Sequence, residues 1–289
     1  MSARQRRMMD IAVVLSTYNW PRALELSLWG YAAQTHRDFS VVIADDGSGP
    51  QTRALIERLA AETRLRIHHV WQDDRGFRKS EILNRAIAST DCEYLIFSDG
   101  DTIPRRDFVA VHAEYADRGR FLAGGYVKLP AHVSNRITVD DVRSGRATDL
   151  AWLRAQGFRP GRRGLRFPRS RRSATFLDHL TPTARRWHGN NASTWRDYLL
   201  EVNGFDMDMG YGGQDTALGD RLENLGVRPK RIRHRAPAVH LDHDRPWRDP
   251  AGVQRNIEIR QRIRTTREVR APRGIAELEP IGSPHPCAG

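Results

Sequence analysis

Cysteine and long apolar runs are what this 289-residue sequence most clearly lacks. Its two cysteines, Cys92 and Cys287, stand far apart and without the short spacing of metal ligands. This argues against a cysteine-rich zinc module or a disulfide framework and favours a reducing, cytoplasmic setting. No apolar run is long enough for a transmembrane helix. The basic residues 1–9 lead into an apolar segment without the hydrophobic core of a signal peptide.

Negative charge is scarce relative to positive charge. The chain has 47 lysines and arginines against 35 aspartates and glutamates, which gives a formal net charge of +12. Such a balance predicts an anionic partner: nucleic acid, an anionic membrane surface or a phosphorylated substrate. No recognised nucleic-acid motif accompanies the charge, so no specific nucleic-acid partner is expected. The length suits one large domain or two small ones.

The most informative segment is 94–101, where an apolar run meets a pair of carboxylates. Residues 94–97 predict a strand buried on both faces. Asp99 and Asp101 follow, separated only by Gly100, which allows a sharp turn. Ligands of open α/β sheets bind just beyond the carboxyl ends of strands. Mg²⁺ and Mn²⁺ take such carboxylates together with phosphate oxygens, so a metal–diphosphate site is predicted. A polar turn with two solvated aspartates is the alternative.

Strand and helix patterns alternate along the first part of the chain, up to residue 97. Because strands separated by helices form parallel sheets, the pattern predicts a mostly parallel, Rossmann-like α/β sheet with helices on both faces. Polar clusters at successive strand ends would then share one crevice. The predicted strands are 11–16, 39–44, 65–71 and 94–97, and the helices are 22–34, a segment around 55–59, and 79–89.

The pattern is less regular after residue 101. A strand at 121–129 contains Gly124 and Gly125, which suggest a bulge or a close approach by a ligand. Apolar periodicity fades between 131 and 172, so a loop is expected there. Further elements are predicted as helices at 105–118, 195–202, 218–225 and from 249 onward, a strand at 236–240, and a loose Pro- and Gly-rich tail at 271–289.

Two acidic clusters follow or precede predicted elements, and each has two interpretations. Asp45 and Asp46 precede Gly47-Ser48 and fit either a tight turn or recognition of a base and ribose by charged acceptors. Asp215 follows Gly212-Gly213-Gln214 and fits either a helix N-cap or a proton-accepting carboxylate at the mouth of the crevice.

Histidines and basic residues give two further clusters. His240 and His243 stand among acids at the end of a strand, and one of them, with His240 favoured, could complete a metal site begun by Asp101. Arg78, Lys79, Asn84 and Arg85 fit either a solvated helix face or phosphate neutralisation. The arginine-rich segment 162–172 could form a lid over diphosphate, a patch for anionic lipid, a dock for an acidic acceptor or a nucleic-acid contact.

Four motifs stand in an order that is far more specific than any one of them. They are Ser16-Thr17-Tyr18-Asn19, Asp45-Asp46-Gly47-Ser48, Ser98-Asp99-Gly100-Asp101, and Asn203-Gly204-Phe205-Asp206 followed by Gly210-Tyr211-Gly212-Gly213-Gln214-Asp215. Together they resemble the inverting glycosyltransferases of family 2, with the nucleotide-sugar-binding A-type fold. The C-terminal half resembles the galactosyltransferase-like and chondroitin-polymerase-like branch, which has a Gly-Gly-Glu-Asp motif and a later metal-binding histidine. The resemblance covers about residues 10–245.

The resemblance implies roles for individual residues. Thr17 with Asp45 or Asp46 would hold the uridine, and Asp99 would contact ribose or sugar. Asp101 and His240, with His243 as the alternative, would ligate Mn²⁺ or Mg²⁺, and Asp215 would be the general base. Gln214 stands where the family usually has Glu, and the arginine-rich insertion is outside the family pattern. Other nucleotide-sugar contacts are expected at Tyr18, Asn19, Arg78, Lys79, Asn84, Ser98 and Gly100, and contacts to acceptor or donor sugar at Trp187, Asn190, Gly212, Gly213 and Gln214.

The expected function is metal-dependent transfer of a hexose or N-acetylhexosamine from a UDP-sugar to a hydroxyl of a glycan or lipid-linked glycan, with inversion. A nucleotidyltransferase should carry a glycine-rich basic loop where this chain has Thr17–Pro21. A non-enzymatic polyanion binder should show steep salt dependence and indifference to UDP. Cytoplasmic location is expected, with a peripheral position at the inner face of the cell membrane as an option. Four parts are expected: a nucleotide-sugar-binding half at 1–130, an insertion or flexible loop at 131–184, a half for acceptor and base at 185–270, and a tail at 271–289.

Overall fold

Four parallel strands begin the central sheet, and all but the third are runs of mostly buried apolar residues. The computed structural model describes residues 9–168, 170–181, 186–244 and 249–279. The strands are β1 (Ile11–Thr17), β2 (Ser40–Asp45), β3 (Arg66–Trp71) and β4 (Tyr94–Asp99), which lie in the order β3-β2-β1-β4. The connecting helices are α1 (Pro21–Ala32), α2 (Pro50–Glu62) and α3 (Lys79–Ala88). Proline at the first position of α1 and of α2 suits a helix start, where no N–H is needed.

Three short strands extend this sheet to seven. β8 (Ala192–Trp195) pairs antiparallel with β4, β6 (Arg120–Ala123) pairs antiparallel with β8, and β9 (Arg228–Arg231) pairs parallel with β6. The sequence pattern missed β8 and β9, because four residues are too few to show a period. Trp195, predicted as part of a helix, ends β8, and α9 (Arg196–Glu201) follows it.

The prediction of a single strand at 121–129 is wrong, because the segment forms two strands that belong to different sheets, the large one and a small, three-stranded one. That segment breaks at Gly124, so that β6 stays in the large sheet while β7 (Gly125–Lys128) joins β5 (Thr102–Pro104) and β10 (Pro237–His240). A Cβ at Gly124 would lie 1.9 Å from Asn191 Oδ1. The glycine therefore makes room for the buried amide of Asn191, whose Nδ2 donates to the carbonyl oxygens of Gly125 and Ala236 at 2.8 Å each, and not for a ligand.

Alternate residues of β1 pack on opposite faces of the large sheet, as the two-residue period of a strand requires. Val13 and Leu15 pack with the first two helices on one face. Ala12 and Val14 pack with α3 on the other. Helices therefore cover both faces, which is the arrangement predicted for a doubly covered parallel sheet. The remaining helices on these faces are α4 (Phe108–Tyr115), α9 and α10 (Gln214–Asn224), and α11 (Pro250–Thr266) packs on α10.

The segment expected to be a loop is helical in its described residues. Its helices are α5 (Ala131–Ser134), α6 (Val139–Ser144), α7 (Leu150–Ala155) and α8 (Arg171–Leu180), with 3₁₀ turns at Arg146–Thr148 and Gly161–Arg166. Val133, Val142 and Leu153 pack with Val127 and Val239 of the small sheet. Three of the four helices have six residues or fewer, so each buries too few side chains to produce a visible apolar period.

Three further findings concern the two cysteines, the C-terminal tail and membrane-spanning helices. Cys92 is fully buried, and Cys287 lies outside the described residues. The tail predicted at 271–289 is described only to residue 279, where it includes a 3₁₀ turn at Ile275–Glu277. Within the described ranges, no helix is long and apolar enough to span a bilayer.

Candidate functional site

One large cleft, with a cavity volume of about 680 Å³, lies at the carboxyl ends of β1, β4 and β10. The strand order reverses at β1, because β2 and β3 lie on one side of it and β4 on the other. Open α/β sheets bind ligands at such a switch point. The predicted site residues that line the cleft are Thr17, Tyr18, Asn19, Asp46, Lys79, Asp99, Gly100, Asp101, Asn190, Gly212, Gly213, Gln214, Asp215, His240 and His243.

Two predicted binding residues are used in the protein interior and do not line the cleft. Asp45 is fully buried, accepts a hydrogen bond from Ser48 N (2.8 Å) and has Oδ2 2.9 Å from His69 Nε2. Asn84 binds the backbone of Phe205 through both ends of its amide: Nδ2 donates to the oxygen (2.8 Å) and Oδ1 accepts from the nitrogen (2.7 Å). The sequence could not distinguish these contacts from ligand contacts.

Three further predicted residues also point elsewhere. The Arg78 guanidinium donates to Glu81 (3.0 Å) and to a backbone oxygen. Ser98 is buried and its hydroxyl donates to Asn190 O (3.3 Å). Trp187 is fully buried in the hydrophobic core beneath the sheet. Their roles are therefore to support the loops around the cleft.

Lys79, the first residue of α3, places its ammonium among the carboxylates of the cleft. Its Nζ donates to Asp99 Oδ1 (2.6 Å), which also accepts from Ser16 Oγ (2.7 Å). Burial by itself would raise the pKa of Asp99, but the charge and hydrogen bond of Lys79 lower it overall. Burial would lower the pKa of Lys79, but Asp99, Asp215 and Asp101 raise it overall. Both members of this pair are therefore charged at neutral pH.

Asp101, His240 and His243 converge on one point. His240 lies opposite Thr102 in the pairing of β10 with β5, which sets it beside Asp101. The Nε2 atom of His240 is 3.6 Å from Asp101 Oδ1, and that of His243 is 3.2 Å from Oδ2. The candidate ligand atoms of the three residues all lie within 4.8 Å of one another. The sequence favoured one histidine with the other as alternative, whereas the structure brings both to the carboxylate.

The hydrogen bonds of the two rings determine which nitrogens are available. His240 Nδ1 lies 2.6 Å from the carbonyl oxygen of Leu241, and His243 Nδ1 lies 2.6 Å from that of Asp244. A carbonyl oxygen only accepts, so each Nδ1 carries the proton and, in the neutral ring, each Nε2 keeps its lone pair. Two lone pairs thus face the carboxylate of Asp101. This donor set fits a divalent cation such as Mn²⁺ or Mg²⁺, with the backbone carbonyls orienting the ligands.

Asp215 lies in the first turn of α10, where the N-cap position is taken by Gly213 and not by Asp215. Its buried Oδ1 has no hydrogen-bond partner among the described residues. Burial raises the pKa of Asp215, with Lys79 opposing and Asp99 adding to the shift. A Cβ at Gly189 would lie 2.6 Å from that Oδ1. Glycine there lets the neighbouring loop close over the carboxylate, which remains available to a bound hydroxyl.

The loop before α10 depends on its glycines and on the C-terminal helix. Gly212 and Gly213 have φ values of 99° and 95°, a region that favours glycine. Asn256 of α11 is buried and its Nδ2 donates to Gly212 O (2.7 Å). The Gln214 side chain accepts from Gly212 N (2.9 Å). Gln214 therefore stabilises this loop from within the cleft.

Asp46 lines the opposite end of the cleft. Its Oδ1 accepts from Gln72 Nε2 (2.6 Å) and its Oδ2 accepts from Arg78 N (2.9 Å). Burial raises the pKa of Asp46 to about 6, although both of these hydrogen bonds oppose the shift. The structure thus separates the two adjacent aspartates, since Asp46 faces the cleft while Asp45 faces the interior.

Several residues that line the cleft were not predicted. Phe77 and Tyr211 meet edge to face across it, with ring centroids 5.5 Å apart. Tyr126 lies against His240, with centroids 5.3 Å apart. His188 lines the cleft beside the buried Trp187. The alternation of an extended chain could have indicated His188, because successive side chains point in opposite directions; no comparable sequence signal marks the aromatic residues.

Comparisons with known proteins agree with this geometry. Residues 12–163, more than half of the chain, match the model of the family Glycosyl transferase family 2. Validoxylamine A glucosyltransferase of Streptomyces hygroscopicus subsp. jinggangensis (strain 5008) is 29% identical over 245 residues, which cover 81% of this chain and 56% of that protein. Chondroitin synthase of Escherichia coli is 27% identical over 240 residues, covering 75% of this chain and 32% of that protein. The chain thus spans about half and about a third of their lengths.

Solved structures show the same architecture. S. aureus TarS 1–349 in complex with UDP-GlcNAc gives a TM-score of 0.57 at 14% identity, covering 93% of this chain and 69% of that one. Mannosyltransferase PcManGT from Pyrobaculum calidifontis, in complex with GDP-Man and Mn²⁺, gives 0.56 at 19% identity, covering 84% and 59%. The fold is therefore the A-type α/β fold of nucleotide-sugar glycosyltransferases. The chain belongs to glycosyltransferase family 2.

Proposed function

We propose that this glycosyltransferase is metal-dependent and inverting, and that it moves a hexose or N-acetylhexosamine from a UDP-sugar to a hydroxyl of a glycan or glycolipid acceptor. The observation that carries the proposal is the meeting of two groups in one cleft. One is the Asp101, His240 and His243 cluster, and the other is Asp215, whose Oδ1 is buried and has no hydrogen-bond partner among the described residues.

Asp101, His240 and His243 would hold the divalent ion, Mn²⁺ or Mg²⁺. Bound there, the ion would neutralise negative charge on the leaving diphosphate. Lys79 adds a fixed positive charge from the protein itself, already oriented by Asp99. This preorganised charge is worth most in a cleft from which water is partly excluded.

The nucleoside would lie across the ends of β1 and β2. Asp46 offers a charged acceptor for the N3–H of uracil, while Thr17, Tyr18 and Asn19 line the cleft beside it. Asp99 would contact ribose or sugar, and Ser16 keeps its carboxylate in place. A TarS structure with UDP-GlcNAc and a PcManGT structure with GDP-Man and Mn²⁺ support a nucleoside-diphosphate sugar as donor and a divalent ion as cofactor.

Asp215 would take the proton of the acceptor hydroxyl as that hydroxyl attacks the anomeric carbon. Its raised pKa makes it a better base than an ordinary exposed aspartate. A single displacement from the side opposite the leaving group inverts the configuration. Asn190, Gly212, Gly213 and Gln214 line the same region of the cleft and would contact acceptor or donor sugar.

Two other functions fit less well. A nucleotidyltransferase making a nucleotide sugar should have a glycine-rich basic loop after β1, where Thr17–Pro21 contains neither glycine nor lysine. A polyanion-binding protein would explain the net charge of +12 but would have no use for the buried carboxylate of Asp215.

We further propose that the protein works in the cytoplasm and binds an anionic membrane surface peripherally through α8. Phe176 and Leu180 are four residues apart on this helix and are 62% and 61% exposed, while the polar Asp178 is buried. Leu165 on the preceding turn is 57% exposed. Arg171 and Arg172 flank these apolar side chains. Exposed apolar residues among arginines are typical of a surface that enters the headgroup region of anionic bilayers.

The direct test of the enzymatic proposal is UDP release from a panel of UDP-sugars with Mn²⁺, with and without EDTA. We expect release with at least one UDP-hexose or UDP-N-acetylhexosamine and its loss in EDTA. Asp101→Ala should abolish the metal-dependent part of UDP binding measured by calorimetry. Equal UDP affinity with and without Mn²⁺ in the native protein would refute the metal assignment.

A further inference from the structure

A group of arginines lies beside the cleft, next to β7 of the small sheet and to His188. We call Arg163, Arg166, Arg186 and Arg233 the arginine rim. Arg163 and Arg166 belong to the 3₁₀ turn before α8, Arg186 precedes the His188 loop, and Arg233 lies between β9 and β10. Three segments of the chain that are distant in sequence therefore bring positive charge to the same place.

Contacts connect the arginine rim to residues of the cleft. The Arg166 guanidinium donates to the carbonyl oxygen of Tyr126, whose ring lines the cleft and packs on His240. The stem of Arg233 lies on Gly125, where a Cβ would come within 2.7 Å of Arg233 Cγ. Both arginines therefore pack against the backbone of β7 and are only partly exposed to solvent.

Positive charges lie close to one another in the arginine rim. Burial, together with the neighbouring Arg233 and Arg163, lowers the pKa of Arg166 to about 10. Burial, Arg233, Arg186 and Arg166 likewise lower the pKa of His188. These directions show that positive charge is disfavoured here by other positive charge. An anion bound at the rim would remove this repulsion and would gain charge-assisted hydrogen bonds.

One carboxylate near the rim is already engaged. Asp178 of α8 raises the pKa of Arg233, but burial lowers it overall. The same carboxylate accepts hydrogen bonds from the backbone of His234 (3.0 Å) and lies 2.8 Å from its Nδ1. Asp178 therefore divides its charge among several groups.

The arginine rim lies next to His188, and the loop that carries His188 contacts the proposed base. His188 lines the cleft next to the rim, and the adjacent Gly189 abuts Asp215 Oδ1. Lys79 and Asp101 are the residues proposed to face the diphosphate. Lys79 lies at the start of α3, and Asp101 lies just after β4. A hydroxyl delivered to Asp215 would thus bring its neighbouring substituents toward His188 and Arg166.

From this placement we infer that the acceptor is anionic: it carries a phosphate or carboxylate close to the hydroxyl that is glycosylated, and the arginine rim binds that group. The inference rests on the proposed glycosyl transfer and adds the chemical class of its acceptor. It also gives a function to part of the arginine-rich insertion, the feature that lies outside the family pattern.

The test compares acceptors that differ only in charge. UDP release is measured with methyl glucoside, methyl glucuronide and methyl glucoside 6-phosphate, using a UDP-sugar that the protein hydrolyses slowly in the absence of acceptor. We expect at least about tenfold higher kcat/KM for an anionic acceptor than for the neutral one. Arg166→Gln should reduce this ratio at least about fivefold, whereas Arg166→Lys should retain most of it. The matched control is Arg154→Gln, an exposed arginine of α7 in the same insertion.

The outcomes separate the inference from the function on which it rests. Donor hydrolysis that requires Mn²⁺, together with equal use of neutral and anionic acceptors, would overturn the inference and leave the transferase intact. A higher KM for the donor in Arg166→Gln, with an unchanged acceptor ratio, would assign the rim to the leaving diphosphate and also overturn it. Where no acceptor is turned over, ligand-detected NMR with UDP and Mn²⁺ present decides: binding of the anionic glucosides but not methyl glucoside supports the inference, and any other pattern rejects it.

Discussion

Asp215 is a carboxylate with an unpaired, buried oxygen in a cleft that also contains Lys79 and Asp99. Replacement by Asn keeps the shape but removes the proton acceptor. We expect Asp215→Asn to lower turnover by about 100-fold or more while UDP affinity stays the same, in the range of general-base loss. Steady-state kinetics and calorimetry measure the two quantities. Glu223→Gln, an exposed change on the same helix, is the control, and near-normal turnover in Asp215→Asn would remove Asp215 from the mechanism.

Asp46 provides a test by pH, because its pKa is raised to about 6 by burial. A carboxylate that accepts the uracil N3–H must be ionised, so binding should be retained above pH 6 and lost as the pH falls through it. At pH 5 only about one in ten such carboxyls is ionised, and we expect uridine affinity to fall about tenfold relative to pH 7.5. Uridine is used in place of UDP because it has no phosphate that titrates in this range.

The control for that experiment is Asp46→Asn, which cannot titrate. Its uridine affinity should be low and nearly constant between pH 5 and 7.5. An unchanged pH dependence in Asp46→Asn would show that another group controls binding. A native protein whose uridine affinity is the same at pH 5 and pH 7.5 would contradict the assignment of Asp46 to the base.

At the scale of elements, the packing of α3 against the turn that follows α9 depends on one side chain. Asn84 makes two hydrogen bonds to the backbone of Phe205, and all of these groups are buried. Asn84→Ala would leave a buried N–H and C=O unpaired, at a cost of about 1–3 kcal/mol for each group. We expect a matching loss in the free energy of unfolding, measured by urea titration, with UDP affinity retained in the folded protein. Unchanged stability together with weakened UDP binding would contradict this structural role and would indicate that Asn84 contacts the ligand.

Helices and strands were predictable where the spacing of apolar residues within the element itself indicates its type. β1, β2 and β4 contain continuous apolar runs, and α1, α2 and α3 have apolar faces, so sequence spacing predicts each of these elements. β3 was predicted as well, although its six residues include an arginine and two histidines. β8 and β9 could not be predicted from spacing, because they have four residues each and their stability comes from pairing with strands distant in sequence. Gly124 marks the point where one predicted strand becomes two, and only the buried Asn191 explains that break.

At the scale of the whole molecule, the outward face of α8 predicts binding to anionic bilayers. The protein should co-sediment with vesicles containing about one third phosphatidylglycerol and not with pure phosphatidylcholine vesicles, and about 0.5 M salt should weaken binding. The double change Phe176→Ser with Leu180→Ser should reduce the bound fraction severalfold without changing activity on a water-soluble acceptor. Ile257→Ser, a 51% exposed isoleucine on α11, is the control. Equal binding by the two variants would exclude α8 as the contact surface.

The sequence by itself determined the first four strands with the helices between them, the order of the four motifs, and the placement of Asp99 and Asp101 at the end of a buried strand. These features follow from the spacing of apolar residues within each element and from the rule that the carboxyl ends of parallel strands lie at the same edge of a sheet. Only the tertiary structure decided that Asp46 and not Asp45 enters the cleft, that His240 and His243 both reach Asp101, and that the arginines of the insertion meet at its rim. Side-chain direction and long-range packing govern those choices, because adjacent residues in an extended chain point to opposite sides and distant segments meet only after folding.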